Sequence, residues 1–161
     1  MILRCTLVGM AAFVAITLGT PAVASKSPAN AGAMQDELLS HPNAERRAKG
    51  LSPLRLSAKL DKAAQGHGCD NANRMSMSHV SSDGRTLKNR LRRVGYAFRT
   101  AAENTGRGFA SGARVVQWWM NSSKHRDNIL LRKAKEVGIG IAVSPAPDNK
   151  IHWILVVGAS K

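Results

Sequence analysis

Cysteine, aromatic residues and acidic side chains are all scarce in this 161-residue chain, and each scarcity narrows what it can be. The only cysteines are Cys5 and Cys69, and Cys5 lies in an apolar amino-terminal stretch. A single cysteine in the remainder cannot close an internal disulfide, so the fold rests on packing, and Cys69 is either a small buried apolar residue, the favoured reading, or available for intermolecular pairing. Aromatic residues make up 4% of the chain, and Trp118, Trp119 and Trp153 sit inside dense apolar runs, which reads as core rather than ligand platform. Ten acidic residues against 24 basic ones give a formal charge of +14, while an apolar fraction of 43% is too high for a charged disordered chain. Past residue 24 no apolar run reaches the ~20 residues of a membrane-spanning helix, since Val137 to Val143 and Ile151 to Val157 are strand-sized.

Common catalytic signatures are missing too. Gly108-Phe109-Ala110-Ser111-Gly112 carries its serine one place too late for a nucleophile elbow, and no glycine loop suits a phosphate. His67-Gly68-Cys69 has neither a second cysteine nor an H-E-x-x-H partner, so a structural zinc site is unsupported and His67 reads as a helix-surface or packing residue.

What is present begins with Arg4, the apolar stretch Leu7 to Leu18, and Pro21-Ala22-Val23-Ala24 before Ser25. Small residues at Ala22 and Ala24 suit a signal peptidase, and Gly19-Thr20-Pro21 breaks a run already too short to span. The expected organisation is a signal peptide over 1–24, a flexible lead over 25–33 and a single domain over 34–161. Loss of Arg4 takes the formal charge from +14 to +13, so the basic excess belongs to the exported product.

Within the domain, Leu38, Leu39, Ala44 and Ala48 predict a helix over Gln35–Lys49 that Pro42 interrupts and Gly50 stops. A second, Ala-rich helix follows the cap Ser57, and a short basic helix runs from Thr86 to Val94 with Leu87, Leu91 and Val94 on one face and Gly95 at its end. Arg99 to Gly108 is non-periodic and reads as a loop or short strand. A helix from near Ser111 carries Val115, Val116, Trp118, Trp119 and Met120 and stops at Asn121-Ser122-Ser123. Val137 to Val143, with alternating Gly138, Gly140 and Ala142, predicts a strand close-packed on a helix, and a turn over 144–150 leads into a second strand, Ile151 to Val157. Helices followed by an antiparallel hairpin give an α+β class.

His79, Glu103 and His125 each fall at a boundary between elements, where side chains can converge; the alternative is that each simply ties a neighbouring turn. His41 and His152 read as structural.

Several motifs occur in a shared order: Asn43-x-x-Arg46, Gly50-Leu51-x-Pro53-Leu54, Met77-Ser78-His79-x-x-x-Asp83-Gly84, Ala102-Glu103-Asn104, and Trp119-Met120-Asn121-Ser122-x-x-His125-Arg126-x-Asn128-Ile129-Leu130. Together they resemble the CAP or SCP superfamily of cysteine-rich secretory proteins, insect-venom antigen five, plant pathogenesis-related proteins and their bacterial relatives. The final segment, with Glu136-Val137-Gly138-Ile139-Gly140 behind it, resembles the bacterial branch. The resemblance implies a three-layer α-β-α sandwich with the terminal hairpin in its central sheet, and a cleft lined by two histidines and two acidic residues. Carried over by motif, His79, Glu103 and His125 line that cleft, with Asn104, Arg126 and Asn128 supporting it. The fourth, acidic position is not matched, because Gln117, Asn121 and Ser122 occupy that stretch. The cysteine-stapled extensions of animal members are also missing.

Three functions remain open on this reading. One is a secreted, periplasmic or extracellular binding module without turnover, with a lipid or an anionic envelope or host-surface polymer as its partner. Another is a divalent-metal site, in which His79, His125 and Glu103 hold zinc and leave a position for water, the ligand set of a weak hydrolase. The third is a polyanion binder driven by the basic runs Arg85 to Arg99 and Lys124 to Lys135, where export argues against nucleic acid as the native partner.

Overall fold

The computed structural model describes residues 26–161; the expected signal peptide lies outside the described residues. The elements run α1 (Ala31–Ala48), β1 (Arg55–Leu56), α2 (Ala58–Asn73), α3 (Leu87–Arg93), β2 (Phe98–Arg107), α4 (Gly112–Met120), α5 (Ser123–Ile129), β3 (Glu136–Val143) and β4 (Ile151–Ser160). The sheet has the order β1-β3-β4-β2, with β1 parallel to β3 and the other pairings antiparallel. Packing α1, α4 and α5 on one face and α2 and α3 on the other makes the three-layer α-β-α sandwich.

The alternation in β3 explains the layers. Val137, Ile139 and Ile141 face the larger core with Leu38, Val115, Trp119, Trp153 and Leu155, while Gly138 and Gly140 turn to α2. A Cβ on Gly140 would stand 2.3 Å from the Ala64 carbonyl oxygen, so only glycine lets the α2 backbone lie directly on the strand. That approach has a second use. β1 is only two residues long, and beyond it α2 side chains replace the missing strand: Asp61 Oδ1 accepts from the Ile139 N–H at 2.8 Å, and Gln65 both accepts from the Ile141 N–H at 2.9 Å and donates to its carbonyl at 3.0 Å.

In α1 the buried positions are Met34, Leu38, Pro42, Asn43 and Arg46, not Ala44 and Ala48, which are exposed. Pro42 is accommodated inside the helix, and α1 begins at Ala31, within the stretch read from sequence as lead. Arg46 is wholly buried with no carboxylate partner among the described residues; it donates to the carbonyls of Ser52, Ile129, Leu131 and Ala134 at 2.8 to 3.1 Å and so fixes the chain that follows α5. Gly95, at φ +69°, ends α3, and the Thr86 N–H and hydroxyl at its start both donate to Asn89 Oδ1.

The segment from Arg99, read as a loop or short strand, belongs to a ten-residue strand, β2, paired along its length with β4; its polar residues Glu103, Asn104 and Arg107 find partners on neighbouring helices or loops. α4 ends at Met120, as Asn121-Ser122-Ser123 predicts, and a second short helix, α5, follows directly. Trp119 and Trp153 are core, whereas Trp118 is 37% exposed, because a helix dense in apolar residues still turns one side outward. Cys69 is half-buried, with Gln65 Nε2 donating to its sulfur at 3.4 Å.

Candidate functional site

β2 is an edge strand, and Glu103 lies midway along it opposite Val156. The Glu103 carboxylate is buried and committed at both oxygens. Arg90 Nη2 from α3 donates to Oε2 at 2.5 Å, and His79 Nδ1 donates to Oε1 at 3.0 Å. His67 of α2 stands behind, its Nε2 3.8 Å from Oε1.

The loop carrying His79 is tied down by α2. His67 Nε2–H donates to the Ser78 carbonyl at 2.7 Å, which leaves Nδ1 to accept from the Ser81 hydroxyl at 3.1 Å. Asn71, one turn on, donates to the same carbonyl at 2.9 Å, and Asp70 accepts from the Ser82 N–H. Arg90 closes the arrangement, because its Nη1 donates to the carbonyls of His79 and Arg85 at 3.0 and 3.1 Å. One guanidinium therefore fixes both the carboxylate and the backbone of the histidine that meets it.

The opposite wall is set by the two asparagines. Asn104 Nδ2 donates to the His125 carbonyl at 3.0 Å, while Asn128 Nδ2 donates to Asn104 Oδ1 at 2.8 Å and to the Glu103 carbonyl at 3.2 Å. Arg126 donates to the Met120 carbonyl at 3.2 Å and fastens α5 to α4. The His125 ring packs on Trp118 with centroids 5.1 Å apart, and Phe109 packs on Trp118 at 5.2 Å. His125 Nδ1 is buried without a hydrogen-bond partner among the described residues.

The electrostatics follow from these contacts. The hydrogen bond to Glu103 raises the pKa of His79. Burial lowers that of His67. Burial, with the nearby charge of His79, lowers that of His125. Around neutral pH the cluster thus holds a cationic Arg90, an anionic Glu103, a half-exposed His79 inclined to protonate, and two imidazoles inclined to stay neutral.

His79, Glu103 and His125 thus gather at one edge of the sheet, and Asn104, Arg126 and Asn128 hold the surrounding backbone. As zinc ligands the three are poorly disposed. The Arg90 guanidinium already on Glu103 Oε2 would repel a dication brought to that carboxylate. Among the described residues no group of three or more His, Cys, Asp or Glu is arranged to hold a metal ion.

Sequence reasoning missed Arg90, His67, Asn71 and the exposure of Trp118. The signal for Arg90 is its place at i+3 from Leu87 and i−4 from Val94, on the apolar face of α3, where a charged residue implies a buried partner. His67 offers the same hint, sharing a face with Leu60, Ala63 and Ala64.

The family model of the Cysteine-rich secretory protein family, CAP, matches residues 39–157. The Uncharacterized protein YkwD of Bacillus subtilis (strain 168) is 31% identical over 130 residues, 77% of this chain and 51% of that protein. The Uncharacterized membrane protein YlbC of the same organism is 30% identical over 107 residues, 66% of this chain and 31% of that protein. The chain thus spans about half or less of the length of these curated relatives. Among solved structures, an extracellular protein containing a SCP domain from Bacillus anthracis str. Ames superposes with a TM-score of 0.70 at 26% identity, over 80% of this chain and 41% of that one. A cysteine-rich secretory protein from Staphylococcus aureus subsp. aureus Mu50 gives 0.65 at 25% identity, over 83% and 40%. An outer surface protein from Borrelia burgdorferi gives 0.76 over 85% of this chain and 99% of that one; at 20% identity it speaks for the fold alone.

Proposed function

Since the chain belongs to the cysteine-rich secretory protein family, the CAP superfamily, we propose that it works outside the cytoplasm as a binding module without turnover, holding an anionic, lipid-bearing ligand at the cleft of His79, Glu103 and His125. An extracellular place is supported by the relatives described as extracellular and secretory, and no helix among the described residues is long and apolar enough to cross a membrane.

The observation that carries the binding reading is the commitment of Glu103. A buried carboxylate whose two oxygens accept from Arg90 and from His79 acts as a scaffold fixing α3 and the histidine loop rather than as a free base facing solvent. What the cleft offers a visitor is the exposed His79, the His125 ring and half-exposed apolar side chains: Met75, Met77 and Val80 on the loop of His79, and Trp118 under His125. Apolar groups beside a strongly basic surface suit a ligand with both an acyl portion and a negative charge.

Co-sedimentation with phosphatidylglycerol and phosphatidylcholine vesicles tests this at about 0.1 M and about 1 M salt, where screening lengths are about 10 and 3 Å. The expected result is binding to the anionic vesicles that survives in part at high salt and weakens in Trp118→Ala. Complete loss at high salt would move the partner to an anionic polymer held by charge alone, the reading favoured by the +14 excess. No binding under either condition would remove the lipid reading.

A further inference from the structure

A cavity of about 370 Å³ opens between α2 and α3, behind the cleft and separated from it by Arg90 and His67, both of which line it. Its size falls in the ~300–1,000 Å³ range of small-molecule sites. The charges around it do not cancel. Asp70 is occupied by Arg74 and the Ser82 N–H, and Asp83 pairs with Arg85. That leaves Lys62 and Arg93, both exposed at the mouth and without an ion pair among the described residues.

Arg90 supplies the second observation. It is 7% exposed, and although Nη1 donates to the carbonyls of His79 and Arg85 and Nη2 to Glu103, its Nε–H is buried with no acceptor among the described residues. Buried polar groups are nearly always paired, and leaving a charged donor without a partner costs more than the ~1–3 kcal/mol of a neutral one. An oxyanion in this cavity would supply the missing acceptor. Ser81, whose hydroxyl already bridges His67 and Arg90, also lines the cavity, and Ala63 and Val94 add apolar lining.

We propose that this cavity binds a small organic oxyanion, a carboxylate or phosphate monoester on a sugar-sized body, with Arg90 and Ser81 at its floor and Lys62 and Arg93 at its mouth. Guanidinium groups match both anions through parallel N–H donors, and the two mouth cations add attraction, since Asp70 and Asp83, which also line the cavity, are paired with Arg74 and Arg85. The site is separate from the lipid-bearing cleft, and either can exist without the other.

The test is an NMR titration of the purified protein with inorganic phosphate, glycerol 1-phosphate and glucuronate, following the His67 ring signals, with calorimetry alongside. At least one of the three should shift His67 saturably, the pattern among them telling a free phosphate from an ester or a sugar carboxylate. The exposed double substitution Lys62→Ser with Arg93→Ser should weaken that binding about tenfold or more without changing Tm, whereas Arg132→Ser with Lys133→Ser on another surface should leave it within about twofold. The proposal is overturned if none of the anions moves His67, or if both double variants weaken binding equally, which would reduce the effect to general charge.

Discussion

Arg90 on α3 and Glu103 on β2 form a buried ion pair, Nη2 to Oε2 at 2.5 Å, with side chains only 7% and 3% exposed. The pair holds the wall of the cleft to the sheet. Arg90 also carries the His79 carbonyl, so the histidine loop and the edge strand share one anchor.

Breaking such a pair from one side leaves a charge buried without compensation, which costs about 3–5 kcal/mol, whereas replacing both partners by apolar residues is often neutral. Arg90→Met is therefore expected to destabilise by that amount in chemical denaturation, and Arg90→Met with Glu103→Leu to recover much of it. Equal losses in the single and double variants would contradict a direct pairing.

Zinc provides a second test. With Glu103 held by Arg90, calorimetry at neutral pH should find no tight site, and the His79→Ala with His125→Ala double variant should give the same isotherm as the wild type. A tight site lost in that variant would show that the carboxylate can leave Arg90 and would restore the hydrolase reading.

Gly140 faces the α2 backbone, and a methyl there would lie within 2.3 to 2.7 Å of Ala64 and Gln65 backbone atoms. No side-chain rotation can relieve that clash, so Gly140→Ala is expected to cost at least the ~1–3 kcal/mol typical of overpacking and to lower Tm by several degrees. An unchanged Tm would mean that α2 does not rest on β3.

Acid should weaken the fold through His152. This buried imidazole shares a hydrogen bond with Ser144 at 2.8 Å, and burial pushes its pKa from the ordinary 6.5 down to about 4. Below pH 6.5 the unfolded chain takes up this proton first, so stability falls between pH 6.5 and 4, by at most about 3 kcal/mol from this group. His67, also lowered, acts in the same direction, while His79, raised by Glu103, adds stability that is present in acid and lost as pH rises past its folded value. In His152→Asn the slope of denaturation free energy over that window should flatten; an unchanged slope would place the acid sensitivity elsewhere.

How legible all this was depended on what each residue answers to. The hairpin of β3 and β4, with its glycine alternation, and the helix starts near Ser111 and Thr86 answer to local rules and were readable. β2 was not, because a strand of Thr, Ala, Glu and Asn declares itself only through partners distant in sequence: Arg90, His79, Asn128 and β4. The cleft residues His79, Glu103 and His125 were reached through motif resemblance, since their separations of 24 and 22 positions carry no periodic signal. Arg90 was hidden among the basic residues of α3, although its place on the helix's apolar face could have exposed it.

The central claim is that Glu103 is the fixed anion about which the histidines are arranged, and histidine pKa values by NMR titration test it most directly. In the wild type His79 should titrate above 6.5, and His67 and His125 below it; in Glu103→Gln, with the anion gone, His79 should fall below 6.5 because burial and Arg90 then act on it unopposed. A His79 that titrates at its ordinary value in both proteins would contradict the account, since no carboxylate would then be holding it.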